Sequence, residues 1–293
     1  SWWNSPKVTA IDLTNHEAVD WFLARLRALQ AETGLDGFKF DAGEPCFLPA
    51  RFRTKEGIEH PSEYTRLWVE KVAGHFSYAE VRTGHRTTGT PVFTRMGDRF
   101  SSWGVDNGLG SLIPTLLTSG LLGYPFCLPD MIGGNAYFAQ FPSKDLLVRW
   151  AQANALMPGV QFSIAPWDLS ESASRLCLEP LALRAEFAGD ILGLAEESCH
   201  TLAPICRPLW WLDPLDPETF TIMDQFAIGQ DVVVAPVLQR NARKRDVYLP
   251  AGEWQEVGGG REGSRITGPR WIKGLRAPLD KLPVFRRITS AGP

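Results

Sequence analysis

Four polar side chains stand at the ends of short apolar runs: Asp12 after residues 8–11, Asp41 after 37–40, Arg82 after 78–81, and Asp130 just past 124–128. A carboxylate at the end of a rigid strand can attack an electrophilic carbon without reorganising. Two carboxylates on one pocket are the usual minimum for cleaving a glycosidic bond: one protonates the leaving oxygen, the other acts as nucleophile or base. Each of the four is equally a turn former or helix cap when taken alone. The eleven tryptophans add a second hint. Their flat apolar faces suit sugar rings, although core packing is the commoner use of the residue.

Such groups need a scaffold, and the periodicity supplies one. Thr14-Asn15-His16-Glu17 is a capping box with Thr14 or Asn15 as N-cap. The helix behind it carries Ala18, Phe22, Leu26 and Leu29 as a core-facing stripe until Gly34 closes it. The pattern predicts further helices over 63–73, 109–122, 144–156 and 181–197. It predicts strands over 8–12, 37–41, 78–82, 92–95, 124–128, 160–163 and 207–211, of which 160–163 carries the weakest signal. Strands alternating with helices give an α/β fold, a partial (β/α)8 TIM barrel over residues 1–230, whose active site belongs at the carboxyl ends of the strands. Beyond 230 the texture changes to short β runs at 231–238, 246–250 and 283–285, parted by Gly-rich turns such as Gly258-Gly259-Gly260. This predicts a small antiparallel β domain, a C-terminal β-sandwich over 231–293.

Composition narrows the function. The chain has 293 residues, 44% hydrophobic and 22% charged, so disorder and fibrous architectures are excluded. Thirty basic against 33 acidic residues give a net charge of −3. That balance offers no footprint for nucleic acid. The apolar stretch at 112–122 falls short of the ~20 residues that span a bilayer. Five cysteines without a CxxC pair argue against a zinc site. Cys199 and Cys206 either pair or remain buried thiols.

At 37–44, Gly-Phe-Lys-Phe-Asp-Ala-Gly-Glu, the chain resembles the nucleophile motif of glycoside hydrolase family 31, in which a strand ends in the catalytic Asp and a Glu follows. Arg207-Pro208-Leu209, the stretch from Asp216 to Leu238, and Asp246 to Trp254 resemble the same family in the same order. Segments 123–136, 161–167 and 207–212 are similar to an animal branch, a resemblance that implies α-galactosidase activity by a retaining mechanism. It implies Asp41 as nucleophile and Asp98 as general acid/base. Asp98 fits the family's Gly-Asp and the Trp that follows it, here Trp103, better than Asp106, which matches only an Asp-Asn pair. Arg99 stands where the family usually has Asn, and Arg95 where many members have Trp. The resemblance also implies substrate binding by Lys39, Arg82, Asp130, Trp103 and Ser163. Lys39 shares a strand face with Asp41 by period-two alternation. It either hydrogen-bonds sugar hydroxyls or makes a salt bridge in the barrel mouth. Asp130 accepts two hydroxyl hydrogen bonds or caps the adjacent Gly turn. Ser163 replaces a family His, and Trp2 and Trp3 either line the sugar site or pack in a strand.

The resemblance calls for no cofactor and no metal, and for an oligosaccharide or glycoconjugate as substrate partner. It allows a homodimer. It places the full-length protein in the lumen of the endoplasmic reticulum or secretory pathway, anchored by a segment outside this chain. The chain reads as a piece lacking the family's N-terminal β-sandwich and first barrel strands. Two other readings stay open: an α-glucosidase-type member, and a catalytically silent glycan-binding or regulatory protein.

Overall fold

The computed structural model describes residues 7–257 and 263–288, which divide into two compact units, 1–95 and 96–293. Trp2, Trp3 and the Gly258–Gly260 run lie outside the described residues.

The first unit begins with α1 (His16–Thr33). Asn15, not Thr14, is its N-cap, accepting from the Glu17 amide, and Gly34 ends it in the left-handed conformation (φ 72) that a residue without Cβ adopts freely. The buried stripe is Val19 and Leu23, with Phe22 and Leu26 half-buried and Leu29 exposed. It is therefore rotated by one residue from the expected one. Three parallel strands follow: β1 (Lys39–Phe40), β2 (Glu80–Val81) and β3 (Phe93–Arg95). Between β1 and β2 runs α2 (Ser62–Lys71). The core gathers Phe40, Leu67, Val69, Val72, Phe76 and Val81, and Phe38 meets Phe76 edge-on at 4.9 Å. Burying Phe40 alone contributes roughly 2–3 kcal/mol. The expected strand at 8–12 is absent. Asp12 closes a turn instead, its Oδ1 accepting from the Thr14 amide and hydroxyl and its Oδ2 from the Lys55 amide at 2.7 Å.

The second unit carries α3 (Leu112–Leu121), β4 (Cys127–Leu128), α4 (Lys144–Asn154), the single turn α5 (Pro166–Leu169), α6 (Glu171–Glu186) and α7 (Ala188–Thr201). The helix expected at 181–197 is two helices, because Pro180 is accommodated inside α6 and the break falls at Phe187. The 160–163 run does not extend into a strand. It makes only a parallel bridge, Ile132 with Phe162.

Then come β5 (Cys206–Arg207), α8 (Leu209–Leu212), β6 (Phe226–Ile228), β7 (Val232–Val234), β8 (Lys244–Val257), β9 (Arg265–Arg276) and β10 (Val284–Arg287). They form one six-stranded sheet in the order β5-β6-β7-β10-β8-β9. The run at 207–211 is thus not a barrel stave. Its first residue pairs antiparallel with β6, and Pro208 turns the rest into α8. The β-rich sheet accordingly reaches back past residue 230 to Cys206. Alternation gives it two apolar faces. Phe226, Ile228, Val232, Val234 and Val284 join the core of α3, α4, α6 and α7, while Ala227, Val233 and Phe285 join Val247, Leu249 and Trp254. Arg149 of α4 is fully buried and donates to the carbonyls of Ala277 (2.7 Å), Ala242 (3.1 Å) and Lys281 (3.3 Å), fastening the helix to the loops of the sheet. Burial, reinforced by the Arg243 charge, pulls its guanidinium down to about 10. All five cysteines are free thiols.

Candidate active site

In the first unit the parallel register builds the site. Lys39 pairs with Glu80, and Glu80 with Phe93. Two residues further along each strand stand Asp41, Arg82 and Arg95, so these three share a face at the carboxyl ends of successive strands. Phe40 points the other way, into the core.

Arg82 Nη1 and Arg95 Nη2 each lie 3.4 Å from Asp41 Oδ1. Arg82 Nε donates to Glu44 Oε1 at 2.7 Å, and its guanidinium stands over the Phe47 ring. Arg95, only 4% exposed, sets its Nε 3.0 Å from Glu80 Oε1, which also faces Lys39 Nζ at 3.5 Å. Three carboxylates (Asp41, Glu44, Glu80) thus face three cations (Lys39, Arg82, Arg95). Lys39 makes the salt bridge that was one of its two readings, while its side chain stays 41% exposed.

Both arginine contacts to Asp41 use Oδ1, and the side chain is 47% exposed. The carboxylate is therefore fixed in orientation yet open to a reactant. Past Asp41 the chain turns at once, through Ala42 (φ 60) and Gly43 (φ 95). A Cβ at Gly43 would overlap the Trp68 ring. A cleft of about 600 Å³ opens beside Asp41, lined by Glu44, Phe47, Tyr64, Trp68 and Ile11 among others. Burial, helped by the Asp12 charge, pushes the Tyr64 phenol above its usual range.

In the second unit Asp98 sits on a loop without regular structure, half-buried. Its Oδ2 accepts from the Tyr137 hydroxyl, and its carbonyl accepts from Asn107 Nδ2 at 3.1 Å. The next residue, Arg99, turns inward. Nη1 reaches Asn107 Oδ1 at 3.1 Å, Nη2 reaches Thr115 Oγ1 at 2.9 Å, and the amide donates to Asp130 Oδ2 at 2.6 Å. Burial holds the Arg99 guanidinium below its usual range against the opposing pull of Asp130.

Asp130 is wholly buried, and its Oδ2 also accepts from Asn135 Nδ2. It therefore ties the 98–107 loop to the 130–140 loop. Ser163 donates to the Gly134 carbonyl at 2.9 Å, bringing the 160–163 run onto that same loop. Trp103 is half-buried against the core and lines a separate cleft of about 930 Å³ with Pro114, Val237, Leu238 and Trp271. Asp106 is exposed on the 104–108 turn. Arg207 of the downstream motif is buried, donating to the Pro204 carbonyl and to Glu197 at 2.8 Å, so it fastens α7 to β5.

Two residues escaped the sequence reading. Glu80 precedes Arg82 by two, as Lys39 precedes Asp41, and the same alternation would have found it. Tyr137 left no local signal, because its partner lies 39 residues away. Among the described residues no group of three or more His, Cys, Asp or Glu side chains could hold a metal ion, and no helix is long and apolar enough to cross a membrane.

Comparison with known proteins agrees with this architecture. Residues 1–187 match the TIM-barrel domain of glycosyl hydrolases family 31, and residues 202–290 match the C-terminal domain of that family. The chain is 43% identical over 267 residues to the mouse (Mus musculus) "Myogenesis-regulating glycosidase", covering 88% of this chain and 37% of that protein. It is 33% identical over 266 residues to the "SITS-binding protein" of Tetronarce californica, covering 86% and 36%. Among solved structures, a family 31 dextranase from Flavobacterium johnsoniae complexed with glucose superposes with a TM-score of 0.82 at 25% identity, covering 94% of this chain and 37% of that one. The chain thus spans under two-fifths of the length of each of these relatives.

Proposed function

This chain belongs to glycoside hydrolase family 31, as part of the TIM-barrel domain followed by the C-terminal antiparallel β domain, and on that premise we propose that the full-length protein is a retaining glycosidase that cleaves a terminal α-linked sugar, with α-galactosides as its substrates. The carrying observation is Asp41, a half-exposed carboxylate at a strand end, held by two arginines on one oxygen and bordering a cleft. In the first step an Asp41 oxygen bonds to the anomeric carbon while the glycosidic C–O bond breaks. The leaving oxygen takes the proton of Asp98. In the second step Asp98, now a carboxylate, removes a proton from water, whose oxygen displaces Asp41 and restores both groups. Two inversions give net retention. Arg82 and Arg95 keep Asp41 from rotating, so the attack geometry is set before substrate arrives. No cofactor enters this chemistry.

The test is a panel of aryl α-galactosides and α-glucosides with the full-length protein, followed by inactivation with a fluorinated glycosyl fluoride and peptide mass spectrometry. Galactoside hydrolysis with the adduct on Asp41 is the expected result. Preference for glucosides would overturn the substrate assignment. An adduct elsewhere would overturn the nucleophile. Hydrolysis of none would favour a silent glycan-binding protein on this scaffold.

A further inference from the structure

Tyr137 lies outside every motif that carries the family resemblance, yet its hydroxyl donates to Oδ2 of Asp98. Its ring meets Phe100 edge-on, with centroids 6.4 Å apart and planes at 80°. The loop that presents it is held to the Asp98 loop at several points. The Asn135 amide donates to the Arg99 carbonyl at 2.9 Å, the Ala136 amide to Ser101 Oγ at 3.0 Å, and Asn135 Nδ2 to Asp130. Around Tyr137, Ala136 (φ 49), Phe138 (φ 57) and Ala139 (φ 59) all take the left-handed conformation. Side chains with a Cβ adopt that region only at a cost, so the surrounding contacts must hold them there. The hydroxyl is therefore delivered to Asp98 by a built loop and not by an incidental surface rotamer.

We propose that Tyr137 is the positioning residue of the general acid, setting the orientation of Asp98 and favouring release of its proton to the leaving group. This rests on the assignment of Asp98 as acid/base. With Oδ2 taken by the tyrosine, the transferable proton sits on Oδ1. As that proton passes to the glycosidic oxygen, Asp98 gains negative charge and the hydrogen bond from Tyr137 becomes charge-assisted. The bond is thus stronger after transfer than before, which is the condition for accelerating the step. The tyrosine keeps its own proton throughout. Its effect must scale with how much protonation the leaving group needs: large for a basic leaving oxygen, negligible for one that departs unaided.

The experiment uses the full-length protein and aryl α-galactosides, with the matching α-glucosides, whose leaving groups run from phenol through nitrophenol to dinitrophenol. Wild type, Tyr137→Phe, Asp98→Ala and the neighbouring Phe138→Ala are compared for kcat and KM, with melting temperature as the check on folding. Tyr137→Phe is expected to lower kcat/KM for the phenyl glycoside about tenfold or more, the scale of one charge-assisted hydrogen bond. It is expected to leave the dinitrophenyl glycoside within about twofold, with KM and melting temperature unchanged and Phe138→Ala flat across the series. Equal loss on every leaving group, or no loss on the phenyl glycoside, overturns the proposal. Asp98→Ala separates the two claims. If it keeps phenyl-glycoside turnover, the assignment of Asp98 fails and the proposal with it. If it loses that turnover while Tyr137→Phe matches wild type, only the role of Tyr137 fails.

Discussion

Asp41 leaves a strand of a parallel sheet and is gripped by formal charges from the two strand ends that follow it, whereas Asp98 lies past β3 on an irregular loop, its carboxylate held by a tyrosine hydroxyl and its carbonyl by the Asn107 amide. The first arrangement follows from register. Once Lys39 pairs with Glu80, the places of Asp41, Arg82 and Arg95 are determined two residues on. The second has no repeating rule, and each bond (Arg99 to Thr115, Asp130 to the Arg99 amide, Tyr137 to Asp98) is a separate agreement between distant segments. The charged network is set by strand register, whereas the loop depends on contacts between segments far apart in sequence. The nucleophile should therefore be robust in position and the acid sensitive to remote substitutions.

The largest effect expected is for Asp41→Asn, which removes the attacking carboxylate while keeping its shape. Turnover of aryl α-glycosides should fall roughly ten-thousandfold or more, with melting temperature nearly unchanged. Retained turnover would break the strand side of the comparison outright. Next is Arg95→Met. Losing a buried guanidinium leaves Glu80 and Asp41 each short of one cation. We expect roughly 2–3 kcal/mol of destabilisation by chemical denaturation, less than the ~3–5 kcal/mol of a fully buried pair because Asp41 is half exposed. Arg82 should still hold Asp41, so some activity survives.

On the loop side, Asp130→Ala strands the Arg99 amide and Asn135 and should cost about 1–3 kcal/mol. It should lower kcat more than KM, because it loosens the loop that carries Asp98. Equal effects on both constants would show that the loop does not position the acid. The smallest effect concerns Asp12, whose carboxyl is held below its ordinary value of 3.8. Burial acts to raise it and is outweighed by hydrogen bonds from the Thr14 hydroxyl and the amides of Lys55, Thr14 and Asn15. A depressed carboxyl stabilises the fold above its unfolded value, and that stability disappears as pH falls through the folded one. Wild type should therefore lose a little more stability than Asp12→Ala on going below about pH 4, by under ~1 kcal/mol because the group is largely exposed.

What the sequence discloses tracks the same division. The 37–44 motif, the Lys39–Asp41 alternation and the strand-end Arg82 were readable because period two and a local motif fix them within a few residues. Short apolar runs state that a segment is buried, not with whom it pairs. The 207–211 run was therefore expected as a parallel stave, although Cys206 and Arg207 lie antiparallel to β6. The 160–163 run makes only one bridge, and 8–12 none. The helix expected over 181–197 begins earlier, because α6 carries Pro180 in its interior. Asp130 was expected either at the substrate or as a cap on the adjacent Gly turn, and it is wholly buried, its Oδ2 accepting from the Arg99 amide and from Asn135. Its neighbours in sequence left no signal for the partner at Arg99, which lies 31 residues away.

The turn after Asp41 carries a consequence for how this molecule can vary. The ring of Trp68 occupies the volume that any side chain at position 43 would need, and the same ring forms part of the wall of the adjoining cleft. A residue larger than glycine at 43 would therefore need a smaller one at 68, and even then its backbone at φ 95 is one that side chains with a Cβ rarely adopt. The constraint runs one way: the cleft wall can be opened at 68 for a different sugar while the bend stays as it is, but the bend cannot lose its glycine while the tryptophan stands.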